Sequence, residues 1–204
     1  MNEKVSANKR GLSIVLCGVG GQGTILASRL IAGAAMKKGI PVKSAETIGM
    51  AQRGGSVFSH IRLGEGAFSP RIGLGKADLI IGFEPAETVR MLPYLREGGS
   101  VVSSSTPLMP VSAMIGASAY PLEEILNYLR QNVSDLTLVD SEKAAEVLGS
   151  ARCLNVVLLG AALKSGLSGL TREEILDALY TALPAKLHEL NTRALDYIRE
   201  YGSR

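Results

Sequence analysis

Tryptophan is absent from this sequence, and aromatic residues of all kinds make up only 4% of it. A surface that binds single-stranded nucleic acid needs aromatic platforms set along a basic stripe. The net charge is +3 and the lysines and arginines are scattered, so nucleic acid is not expected as a partner. Cysteine is scarce as well, with only Cys17 and Cys153. They stand far apart, each inside an apolar run, and neither has a second cysteine at the close spacing of a ligand pair. Such a chain ligates neither an iron–sulfur cluster nor a cysteine-rich zinc site by itself. Histidine occurs only twice, so no metal site is expected. No apolar run reaches the roughly 18 residues needed to span a membrane. The first residues lack the pattern of a secretory signal. A cytoplasmic protein with reduced thiols is the expectation.

What is present suits one α/β domain. Hydrophobic residues make up 46% and charged residues 20% of the 204, an ordinary globular balance with enough apolar material for a substantial core. Residues 1–10 are polar and read as a flexible tail, with a single domain over 11–204. The run 12-LSIVLC-17 is short, continuously apolar and bounded by glycine, as a buried parallel strand should be. A helix pattern over 23–38 and a strand at 40–46 follow it, the sequence of a βαβ unit. Further strands are expected at 56–63, 78–84, 100–106 and 136–140, and helices at 85–98, 121–132 and 141–149. Pro93 should split the 85–98 helix, and Ser141 is a candidate cap for the helix it begins. The segment 153–166 is apolar almost all round and should be a central buried helix. Two amphipathic helices, 171–183 and 184–202, complete a helical C-terminal region from about residue 152, and Thr171 with Glu174 spells a capping box. The alternation predicts a Rossmann-like, doubly wound, mostly parallel sheet.

The stretch 16-LCGVGGQGTILA-27 lies between the first strand and the first helix. Gly18, Gly20 and Gly23 fit the dinucleotide fingerprint, in which glycines permit a tight turn, close backbone approach and close helix–strand packing. The helix start offers N–H groups and partial positive charge to a phosphate, a carboxylate or a partner's peptide. Glu46, at the end of the second strand, is the candidate carboxylate for a ribose, so an NAD- or FAD-binding module is one reading. The alternative is a turn that only joins strand to helix. Gln22 brings an amide that bonds either a ligand or a neighbouring loop.

A second motif narrows the choice. The stretch 45-AETIGMAQRGGSVFSHIRLG-64, following the glycine turn, resembles the gamma-type subunit of 2-oxoacid:ferredoxin oxidoreductases, and most closely the indolepyruvate branch. The resemblance continues through 79-LIIGFEPAE-87, Asn155 and 186-KLHELNTRAL-195. It implies one subunit of a complex that decarboxylates a 2-oxoacid oxidatively to acyl-coenzyme A, carbon dioxide and reduced ferredoxin. Thiamine diphosphate and 4Fe-4S clusters would belong to a large partner subunit. The isolated chain would be inactive, with no cofactor and no catalytic residue of its own. Gly18, Gly20, Gly21, Gln22, Gly23 and Thr24, together with Met50, Gln52, Arg53, Gly54, Gly55 and Ser56, are then candidates for contacts with coenzyme A or the partner.

Other residues carry blander expectations. Arg53 has a planar fork suited to a phosphate or carboxylate, and equally to an interface salt bridge. His60, on a strand, reads as a hydrogen-bonded packing residue. Asn155, inside an apolar helix, must find partners because an unpaired buried amide is costly. Cys17 reads as a small buried apolar residue. Glu84, at the Glu84–Pro85 corner, lies on the ligand-binding edge of such a sheet but is expected to be an exposed loop glutamate.

Overall fold

Six strands form one mixed sheet in the order β2-β3-β1-β4-β5-β6. The computed structural model describes residues 11–47, 55–65, 68–109 and 119–201. The strands are β1 (Leu12–Val19), β2 (Val42–Thr47), β3 (Ser56–Leu63), β4 (Ala77–Gly82), β5 (Leu95–Ser104) and β6 (Asp135–Val139). The helices are α1 (Thr24–Lys37), α2 (Pro85–Met91), α3 (Leu122–Asn132), α4 (Ser141–Leu148), α5 (Leu154–Ser165), α6 (Arg172–Ala182) and α7 (His188–Tyr201). Strands β1, β4, β5 and β6 run parallel. The buried runs at β1 and β4 are continuously apolar because both faces are covered.

β3 departs from the simple doubly wound plan. It pairs antiparallel with β1 on one side and with β2 on the other. Strands β1 and β2 are therefore parallel to each other but not neighbours. Period-2 alternation on β3 sends Ile61 and Leu63 to one face and Phe58 and His60 to the other. The first face packs on α1 and α5 in the larger core, with Ile14, Leu16, Leu79, Ile81, Ile31 and Leu158. The second forms a smaller core of Val15, Cys17, Ile80 and Val101 with Ile72 and Val133.

Local chemistry fixes the helix ends. Thr171 and Glu174 form the expected capping box. At α4 the cap is Asp140, whose carboxylate accepts the Lys143 N–H, and Ser141 is instead the first helical residue. The helix thus begins one residue earlier than expected, and Asp140, the residue that follows β6, takes the cap position. The segment after Pro85 stays helical only to Met91. Pro93 then sits in a single 3₁₀ turn, Leu92–Tyr94, and β5 begins at Leu95. The apolar α5 lies buried between the sheet and α7, and Gly160 lets the two helices approach: a Cβ there would stand 2.2 Å from the Leu195 carbonyl oxygen. No single described helix is long and apolar enough to cross a membrane.

Candidate functional site at the carboxyl edge of the sheet

The parallel strands β1, β4, β5 and β6 all end at one edge, where open α/β sheets carry their ligand crevices. A cavity of about 590 Å³ opens there between the glycine turn, the ends of β4 and β5, and the start of α5. Gly20 to Gly23 form one wall, Leu26, Phe83 and Leu158 supply apolar surface, and Arg152 and Asn155 face it from the α5 side. Ser104, at the end of β5, joins Ser141 through a hydroxyl pair 2.9 Å apart, and both line the cavity.

Three of the turn's glycines have identifiable structural causes. Gly23 caps α1 with φ of +85°, a left-handed conformation that favours glycine, and a Cβ there would stand 2.6 Å from Asn155 Nδ2. Gly21 is also left-handed, with φ of +104°, and has open space beside it. At Gly18 a Cβ would strike Gln22 Oε1 at 2.7 Å and Phe83 Cβ at 2.8 Å. Gln22 itself folds back across the sheet edge. Its Oε1 accepts the Val19 N–H at 2.7 Å, and its Nε2 donates to the Phe83 carbonyl at 2.9 Å. The amide thus bridges the ends of β1 and β4, across the crevice that a dinucleotide's pyrophosphate would occupy in an ordinary Rossmann site. Both of the amide's partners in this structure are protein backbone.

Glu46 does not take the ribose position of such a site. It is exposed on β2, paired with Ser59 of β3, and β3 separates it from β1. Neighbouring strands lie about 4.8 Å apart, so the insertion moves β2 roughly 10 Å from the turn's own strand. The carboxylate and the glycine turn are not brought together.

The two sequence motifs do meet at Gly55 and Ser56. Gly20 N–H donates to the Gly55 carbonyl at 2.9 Å. Ser56 Oγ donates to Glu87 Oε2 at 2.6 Å. Thr24, the first residue of α1, is buried beside the turn. Met50, Gln52, Arg53 and Gly54 lie outside the described residues.

Behind that junction is a buried acidic pair that the sequence did not disclose. Glu84, expected to be exposed, is 2% exposed, and Glu87 is 7% exposed. Glu84 caps α2 by accepting the Glu87 N–H at 3.0 Å, and its other oxygen accepts the Tyr120 hydroxyl. Glutamate is an uncommon N-cap, which hid the assignment; the visible signal was Pro85 at the first helical position. Burial, then the hydrogen bond to Glu84, push the Tyr120 hydroxyl well above its ordinary range. Cys17 lies beneath the pair. Burial first, and then the charge of Glu87, push its thiol far up, offset in part by a hydrogen bond with Thr88, so it remains a protonated core residue.

His60 is a packing residue, as its strand position suggested. Its Nδ1 accepts the Ile72 N–H at 2.9 Å, and its ring meets Phe58 and Tyr94 with centroids 5.4 and 5.3 Å away. Asn155 is 4% exposed, and its Oδ1 accepts the adjacent Val156 N–H at 3.0 Å. No cluster of histidine, cysteine and carboxylate side chains suited to a metal occurs among the described residues.

The family model described as pyruvate ferredoxin/flavodoxin oxidoreductase matches residues 13–201. Indolepyruvate oxidoreductase subunit IorB of Methanothermobacter thermautotrophicus is 40% identical over 185 residues, covering 89% of this chain and 93% of the relative. The same-named subunit of Pyrococcus horikoshii is 37% identical over 186 residues, 90% of this chain and 92% of the relative. Among solved structures, the keto/oxoacid ferredoxin oxidoreductase gamma subunit from Geobacter sulfurreducens shares the fold with a TM-score of 0.67. It is 22% identical, over 94% of this chain and 98% of that one.

Proposed function

This chain belongs to the pyruvate ferredoxin/flavodoxin oxidoreductase family and is the small subunit of a 2-oxoacid:ferredoxin oxidoreductase, and on that premise we propose that its complex takes aryl 2-oxoacids of the indolepyruvate type. A large catalytic subunit supplies thiamine diphosphate and 4Fe-4S clusters and passes electrons to ferredoxin. The products are an acyl-coenzyme A, carbon dioxide and reduced ferredoxin. The carboxyl-edge cavity of this chain receives part of coenzyme A.

This chain's own residues do not fit an iron–sulfur cluster. Cys17 belongs to the smaller core on one face of the sheet, and Cys153 to the larger core on the other. No step is therefore assigned to a redox group here. The observation that carries the reading is the cavity itself. An uncapped helix start, an inward-facing amide and Arg152 converge on a pocket whose remaining walls are largely apolar, a chemistry suited to an anionic group on an otherwise apolar ligand. A free-standing NAD module is not favoured, because Gln22 bridges the crevice and Glu46 stands two strands from the turn.

Co-expression with the large subunit tests the reading. The assembled complex is expected to reduce ferredoxin or a low-potential dye in the presence of an arylpyruvate and coenzyme A, and this chain alone to show no activity. Full activity from the large subunit without this chain would refute it.

A further inference from the structure

We propose that the open edge of β6 is a docking strand, on which an extended, acidic segment of the partner subunit adds a seventh strand to the sheet. The proposal rests on the reading of this chain as one subunit of a larger complex.

The sheet ends in two edges, β2 and β6, and they are built differently. β2 carries Lys43 and Glu46, both exposed, the kind of charges that keep a strand edge from pairing with other chains. β6 reads Asp-Leu-Thr-Leu-Val and holds neither lysine nor proline. Its one charge, Asp135, accepts the Ser100 hydroxyl of β5. β5 is its only ladder neighbour among the described residues, so every second residue of β6 turns its N–H and C=O outward.

A groove of about 430 Å³ runs beside that edge. Residues 136–139 of β6 form one side, and Tyr197, Ile198 and Tyr201 of α7 supply an apolar wall. The Tyr197 and Tyr201 rings stack with centroids 5.4 Å apart, and Tyr201 is 55% exposed. Lys143 and Lys164 line the same groove. Both are exposed, and neither has an ion-pair partner among the described residues. Lys143 stands in the first turn of α4, where the helix dipole disfavours a cation, so its own helix does not account for it. The groove's one carboxylate, Asp140, is engaged in capping α4.

The two lysines mark opposite ends of the strand. Lys143 follows the carboxyl end of β6. Lys164 belongs to the last turn of α5, toward the amino end: the next residue, Ser165, bonds Thr137, and a Cβ on Gly166 would stand 3.1 Å from Ser100, the ladder partner of Asp135. Two copies of this chain joined antiparallel through β6 would set the Lys143 end of each against the Lys164 end of the other, like charge on like. An acidic extended segment meets both lysines favourably, while its main chain bonds the strand and its alternate side chains reach the tyrosine wall.

Amide hydrogen exchange at residues 135–139, in this chain alone and in the complex with the large subunit, tests the docking edge. Exchange at the outward-facing amides is expected to slow at least about tenfold on assembly. The acidic occupant is tested by the double variant Lys143→Glu, Lys164→Glu, with circular dichroism to show that it folds. Its dissociation constant from the large subunit should rise about tenfold or more at low salt, with a smaller effect at high salt. Unchanged exchange in an assembled, active complex overturns the docking edge and leaves the subunit reading standing. Slow exchange in the isolated chain that quickens on dilution identifies a second copy as the occupant and overturns the proposal. Slow exchange at every dilution places the chain's own residues on the edge and does the same. Unaltered affinity in the folded double variant overturns the acidic occupant. Failure of the two chains to assemble at all overturns the subunit reading, and the proposal with it.

Discussion

Gly23→Ala is the sharpest test of how the glycine turn is built, because its cost has two separable parts. The first is backbone strain. With φ at +85°, an alanine pays for the left-handed region, about 1–2 kcal/mol. The second is crowding. The new methyl would stand 2.6 Å from Asn155 Nδ2 and 3.1 Å from its Cγ, and forced overpacking of this kind costs about 1–3 kcal/mol. The single variant should therefore lose about 2–5 kcal/mol. Asn155→Ala alone gives up only its local bond to Val156, about 1 kcal/mol. In the double variant the clash disappears and the strain remains, leaving a total of about 2–3 kcal/mol. The cycle predicts a favourable coupling of about 1–3 kcal/mol between the two substitutions, the size of the clash. Urea unfolding followed by circular dichroism measures all four proteins, with a constant m-value as the check that only native stability has changed. Strict additivity would show that Asn155 does not press on the turn, and a Gly23→Ala variant as stable as the wild type would refute the left-handed cap as well.

Two further substitutions address the core and the smaller face of the sheet. Gly160→Ala places a methyl 2.2 Å from the Leu195 carbonyl, and a backbone neighbour cannot swing aside. The α5–α7 contact should loosen at a cost of about 3 kcal/mol, and urea unfolding with an unchanged midpoint would contradict the close approach. His60 sets a pH dependence. Burial first, and then the charge of Arg71, hold its imidazole below the ordinary value of 6.5. The unfolded chain consequently takes up the proton first. The stabilisation is complete above about pH 6.5 and is lost as pH falls toward the depressed folded value, with a slope of at most about 1.4 kcal/mol per pH unit. His60→Gln retains an acceptor for the Ile72 N–H and does not titrate. Its stability should change less than that of the wild type below pH 6.5, and parallel profiles for the two would refute the assignment.

The elements themselves were largely legible in local sequence. Continuous apolar runs marked β1 and β4, Pro93 marked the break after α2, and Thr171 with Glu174 marked the start of α6, because each signal acts over only a few residues. What escaped was pairing between distant segments. The position of β3 between β1 and β2 depends on which strand edges meet, and no local pattern encodes that. One clue was present. Only residues 48–55 separate β2 from β3, whereas a parallel crossover needs a dozen or more, so the two strands had to be antiparallel neighbours. Glu84 and Glu87 escaped for a different reason. Their burial is made tolerable by Tyr120, Ser56 and the first turn of α2, and such partners are invisible until the chain has folded.

The glycine fingerprint shows what such a motif measures. Its spacing correctly predicted a strand, a tight turn and a helix start at the ligand-binding edge. A small residue can mark a place where something approaches the backbone closely, and a ligand is only one of the things that can. At Gly18 the approaching groups are Gln22 and Phe83, and at Gly23 the approaching group is Asn155. Gln22 lies across β1 and β4, the pocket opens on the α1 and α5 side, and with β3 inserted Glu46 does not stand beside the turn. A glycine turn is therefore explained here, at Gly18 and Gly23, by the chain's own side chains.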